Sequence, residues 1–116
     1  MSVYNILFKN GKLSFDEYQK KAMWTCKKYD DVKDAYANIG LGLAGESGEV
    51  ADLIKKHLSG AKQIDKQHLT EELGDVLWYI AEACEIFNIN METVARTNIE
   101  KLEKRFPNGF NGYGNR

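Results

Sequence analysis

Four carboxylates stand out by type and spacing: Glu46 and Glu49 are three residues apart, and so are Glu72 and Asp75. Side chains three or four apart share one face of a helix, so each pair projects from one side of the helix that carries it. If two such helices pack antiparallel, the pairs face each other, and four carboxylates gathered there cannot all stay ionised without a cation. Oxygen-only acidic donors suit a hard ion such as Mg2+, with Mn2+ able to substitute, and such an ion completes its coordination with substrate phosphates. A metal held against a phosphate chain neutralises charge and lowers the pKa of an attacking water. A di-iron centre fits less well, because it asks for Glu-x-x-His pairs on two helices, and neither His57 nor His68 follows a glutamate by three positions.

Acids at helical spacing usually form a solvated face or pair with lysines one turn on. Here both pairs are set in apolar stretches, LGLAGESGEVADLI and LTEELGDVLWYI, where a purely solvated face is not expected. Gly42, Gly45 and Gly48 recur every third residue beside the first pair. Each costs about 1 kcal/mol relative to alanine inside a helix, so they imply close approach of another backbone, room for a metal-phosphate cluster, or both. Residues 40–45 also spell GxGxxG, but that fingerprint works only directly after a strand, and no Val/Ile-rich strand precedes it.

The elements that must position these residues read as helices throughout, because apolar residues recur at three- and four-residue spacing over long stretches and the chain has one proline, Pro107. Residues 1–13 carry no clear period. Ser14 and Glu17 then form a capping box that starts a first helix, expected to run to about Tyr29. A second helix is expected from about Asp34 to Leu58, closed by Gly60. A third follows the N-cap Asp65 and reaches the turn at Asn88, and a fourth follows the N-cap Asn90 and stops before Pro107. The short connection between the second and third helices favours an antiparallel pair, which is the arrangement the acids require.

At 116 residues the chain fits one all-α domain over 1–116, with a core of about 14–106 and a Gly/Asn-rich tail over 107–116 that is either loose or ordered by a neighbouring subunit. Hydrophobic residues make up 43% and charged residues 28%, with no apolar run long enough to span a bilayer, so no membrane association is expected. The N-terminus lacks the features of a secretory signal, which points to the cytoplasm. A net charge of −1 with interleaved signs leaves no basic stripe for a nucleic-acid polymer. Cys26 and Cys84 lack zinc or redox spacing and read as reduced core residues.

GLAGESGEVADLIKKHL followed by LTEELGDVLWYIAEA closely resembles the paired ExxE and ExxD motifs of the MazG-like nucleotide pyrophosphohydrolases, and NIEKLEKRFPNGF resembles that family's C-terminal signature. The similarity covers roughly residues 14–110. It implies a four-to-five-helix bundle assembled as a dimer or dimer of dimers, in which Glu46, Glu49, Glu72 and Asp75 hold Mg2+ against a nucleoside triphosphate that is cut to monophosphate and pyrophosphate. By the same resemblance Asn98, Lys101 and Arg105 contact phosphates or sugar and Tyr79 lines the nucleotide pocket. Lys56 lies on the face of Glu49, within reach of a phosphate, although a lysine there also suits the helix C-terminus. Trp24 or Tyr18 is a candidate for stacking on the base, against the commoner role of core aromatic. Two other readings compete: a non-enzymatic helical interaction module whose acids only solvate its surface, and a hydrolase of another nucleotide such as an alarmone.

Overall fold

A computed structural model of the chain describes residues 11–110. The expectations for residues 1–10 and for the last part of the tail, 111–116, lie outside the described residues. Four helices make up the described architecture: α1 (Phe15–Met23), α2 (Val32–Ser59), α3 (Lys66–Ile86) and α4 (Met91–Arg105). This is the all-α expectation, with boundaries that differ from the sequence reading in informative places.

The first helix is the main departure, ending at Met23 rather than near Tyr29. Its start lies where expected and has the serine half of the capping box, Ser14 Oγ accepting from the Glu17 amide at 3.1 Å, while Glu17 Oε2 is buried without a hydrogen-bond partner. Its end is decided by tertiary contacts. The Thr25 hydroxyl turns back to the Ala22 carbonyl at 2.6 Å, and the Trp78 indole of α3 donates to both the Ala22 carbonyl and Thr25 Oγ1. Carbonyls left over at a helix end need partners, and once a side chain from another element supplies one, continuing the helix gains nothing locally.

The second helix is 28 residues long, about 42 Å at the α-helical rise. It starts two residues before the expected position because Asp31, not a later residue, caps it by accepting from the Lys33 amide at 2.9 Å. Gly60 closes it in the left-handed conformation at φ 79°. His57 Nδ1 then accepts from the Ile64 amide at 3.1 Å, pinning the connection that turns the chain back into α3. Asp65 caps α3 as expected, through the Gln67 amide.

Asn90 takes the non-helical backbone of an N-cap but makes no side-chain capping bond. The first amides of α4 are taken by α1 instead: Met91 N donates to Gln19 Oε1 at 2.9 Å and Glu92 N to Asp16 Oδ1 at 3.4 Å. Gln19 also donates to Glu85 Oε2 and the Ile89 carbonyl, so this buried amide joins α1, the α3–α4 turn and the start of α4. After Pro107 the chain makes a turn in which Gly109, at φ 78°, donates to the Phe106 carbonyl, and Phe110 sets its ring edge-on to Phe106.

The buried cluster is small: Ala22, Ala81, Cys84 and Met91, flanked by Tyr18, Met23, Leu77, Trp78 and Ile80. It lies where α1 crosses α3 near the start of α4. Of the two cysteines only Cys84 belongs to it, while Cys26 is half-buried in the α1–α2 connection. Both thiols are free. No described helix is long and apolar enough to cross a membrane.

Candidate metal centre

Packing of α2 against α3 brings Glu46, Glu72 and Asp75 together, with one carboxylate oxygen from each lying within 4.8 Å of the others. Glu46 and Glu72 are half-buried and Asp75 is exposed, so the group opens outward while its base is held by the helix pair. Glu46 shows the electrostatic cost. Its carboxyl is pushed above the usual glutamate range, first by desolvation, then by the charges of Asp75 and Glu72, a hydrogen bond with Glu72, and the charge of Glu49. Three acids gathered this closely, all presenting oxygen, form a donor set that fits a hard divalent cation.

Glu49 is the expected ligand that stands apart: it is exposed and lies outside the group of three, with only its charge felt at Glu46. His68, which the sequence reading did not place in the site, puts Nε2 3.3 Å from Glu72 Oε1. It lies one turn before Glu72, so the four-residue spacing was the available signal. The Tyr18 phenol is raised by burial and then by the charge of Asp75, which places α1 beside the acids as well.

Tyr79 is half-buried one turn beyond Asp75, edge-on to Trp78 with ring centroids 5.1 Å apart. Its ring fills the space where a side chain on Gly42 would begin. Gly45 and Gly48 face open space instead, so close helix packing accounts for the first of the three regularly spaced glycines and not for the other two. The GxGxxG string lies wholly inside α2, as its lack of a preceding strand implied. Lys56 pairs with Asp52 at 2.8 Å, which raises the lysine and lowers the aspartate.

Asn98, Lys101 and Arg105 are exposed along α4, and no hydrogen bond or ion pair joins them to the acids. Trp24 is exposed at the end of α1, whereas Tyr18 packs against the core cluster.

Glu82 was not singled out from the sequence, yet it is fully buried. Its Oε1 accepts from Asn38 Nδ2 at 2.8 Å, and Oε2 accepts from the Tyr29 hydroxyl at 2.8 Å and Cys26 Sγ at 3.2 Å. Burial followed by the Glu82 carboxylate pushes the Cys26 thiol up to about 11 and the Tyr29 phenol up to about 12. An acid inside the apolar run LWYIAEACEIF was the signal for it, seven residues after Asp75 and so on the same side of α3.

The fold and these acids define a class: an all-helical protein with an oxygen-donor acidic centre built across an antiparallel helix pair. Within that class, residues 35–110 match the family model of the MazG nucleotide pyrophosphohydrolase domain, and the chain belongs to that family. Among curated relatives, "Gene 37 protein" of Mycobacterium phage L5 is 34% identical over 83 residues, covering 68% of this chain and 73% of its own length. "Uncharacterized protein YvdC" of Bacillus subtilis (strain 168) is 31% identical over 99 residues, covering 78% of this chain and 87% of its own. No solved structure gives a significant match.

Proposed function

We propose that this protein is a Mg2+-dependent nucleoside triphosphate pyrophosphohydrolase, converting an NTP or dNTP to the monophosphate and pyrophosphate in nucleotide-pool control. The observation that carries the reading is the convergence of Glu46, Glu72 and Asp75 in a chain of this family. These three, joined by Glu49 through a change of side-chain rotamer, would hold the cation, with Mn2+ a substitute. The bound ion supplies charge neutralisation on the phosphate chain and a more acidic water. His68 orients Glu72 through their contact. Water adds at the α-phosphorus, the bond from that phosphorus to the α–β bridging oxygen breaks, and pyrophosphate leaves with that oxygen.

Tyr79 is assigned to the nucleotide, and Lys56, Asn98, Lys101 and Arg105 to its phosphates or sugar. The last three lie on a helix with no bond to the acids of its own chain. We therefore read the working unit as a homodimer, with a dimer of dimers as its extension, acting in the cytoplasm. The exposed Leu41 and Leu58 on α2 and Ile99 on α4 support self-association.

The test is pyrophosphate release from a panel of NTPs and dNTPs with Mg2+ or EDTA, comparing wild type with Glu72→Gln and Glu49→Ala. Release that requires Mg2+ and is abolished in both variants is the expected result. Mg2+-dependent release from alarmones alone would move the substrate class. No release from any nucleotide would favour the helical interaction module.

A further inference from the structure

The contacts between α2 and α3 form three successive rungs, of which the acidic centre is only one. On α2, Asn38, Gly42 and Glu46 are four residues apart and share a face; on α3, Asp75, Tyr79 and Glu82 share one at steps of four and three. Glu46 meets Glu72 and Asp75, Gly42 meets the Tyr79 ring, and Asn38 donates to Glu82 at 2.8 Å. The first rung sets acids of like charge against one another, with a hydrogen bond between Glu46 and Glu72 among them. The second is a steric contact without a hydrogen bond to fix it. The third is a directional bond to a fully buried carboxylate.

A buried carboxylate is an expensive way to join two helices, and apolar residues of similar volume often stabilise as well or better. What a fully satisfied polar group adds is a single permitted arrangement. Slipping α2 along α3 by one residue shifts it about 1.5 Å, which breaks the Asn38–Glu82 bond and displaces Glu46 from its two partners by the same amount. A metal-binding constellation tolerates errors of only about 0.5 Å. The second oxygen of Glu82 is taken by Tyr29 and Cys26 of the α1–α2 connection, so the same carboxylate also holds that connection without spanning the α2–α3 register.

We propose that Glu82 is a positioning residue: through Asn38 it sets the axial register of α2 on α3 that assembles Glu46, Glu72 and Asp75 into a cation site. The inference rests on the metal reading of the acids given above, and assigns the precision of that site to a carboxylate about two turns away from it.

Replacing Glu82 itself risks the fold, so the test removes its donors one at a time. Asn38→Ala and Tyr29→Phe each delete one hydrogen bond to the same carboxylate, but only the first crosses the register rung. Mn2+ is titrated calorimetrically into the metal-free full chain of wild type and both variants, with thermal melts alongside. The expected result is similar loss of melting temperature in the two variants, about tenfold weaker Mn2+ binding in Asn38→Ala, and Tyr29→Phe within about twofold of wild type. Unchanged Mn2+ affinity in Asn38→Ala, or equal weakening in both variants, would overturn the register role while leaving the metal reading intact. Absence of Mn2+ binding by wild type would overturn both, and it shows in the unmutated chain.

Discussion

At the scale of single residues, Glu46 gives the metal-free protein a pH-dependent stability. The Glu46 carboxyl is held above its ordinary value of 4.5 by desolvation and by Asp75 and Glu72. The metal-free folded state therefore binds the Glu46 proton more tightly than the unfolded chain does. The resulting destabilisation is absent below 4.5, grows as pH rises through the elevated value, and is complete above it. Glu46→Gln removes it. In melts of the metal-free protein, Glu46→Gln is expected to be more stable than wild type at neutral pH, with the difference closing as pH falls to 4.5. An advantage independent of pH would rule out this origin. The glycines make a second contrast. Gly42→Ala drives a methyl into the Tyr79 ring and is expected to cost about 1–3 kcal/mol in denaturant unfolding. Gly45→Ala and Gly48→Ala enter open space in a helix and are expected to gain up to about 1 kcal/mol each in the isolated chain. A loss there would mean that the space is occupied in the assembled protein.

At the scale of elements, helix ends divide into those capped from within and those capped from elsewhere. Ser14, Asp31 and Asp65 cap their own helices, and local spacing makes the first and last of these readable directly. The start of α4 depends on Gln19 and Asp16 of α1, more than 70 residues away in sequence. Gln19→Leu leaves Met91 N, Glu85 and the Ile89 carbonyl without this partner in a largely buried place, an expected loss of about 2 kcal/mol. Hydrogen exchange should show it first at residues 91–94, with α2 unaffected. Uniform loosening of all four helices would instead make Gln19 a general core residue.

At the scale of the whole molecule, the described chain leaves much of its apolar surface uncovered. Its radius of gyration is 17.3 Å, against about 13 Å for a compact chain of this length. Along α2, Ala37, Leu41, Ala44, Gly48, Ala51 and Leu58 are all exposed at alternating four- and three-residue steps broken once by Lys55, with Leu41 76% and Leu58 86% accessible. Such a seam, with small residues between Leu41 and Leu58, suits close contact with a helix of a second copy. Light scattering is expected to give a dimer or tetramer, and Leu41→Asp with Leu58→Asp to shift it toward monomer. A monomeric wild type that retains full pyrophosphate release would remove self-association from the proposed function while leaving the chemistry of the acids standing.

The helical class, the antiparallel α2–α3 pair and the candidate acids were legible in the sequence, because helical periodicity, caps and three-residue spacing are all recorded within a few turns of chain. The MazG resemblance read from Glu46, Glu49, Glu72 and Asp75 agrees with the family match. What was not legible depends on residues distant in sequence. The end of α1 at Met23 was decided by Trp78, the start of α4 by Gln19, and the importance of Glu82 by three donors from the α1–α2 connection and α2. The distinction between Glu49 and its three companions also came from packing, since identical spacing on a helix cannot say how deeply each side chain faces its neighbour. Local free energies act over one or two turns and leave a periodic trace in sequence. The satisfaction of a buried donor or acceptor depends on whichever groups tertiary packing brings within about 3 Å, and that trace exists only in the folded chain.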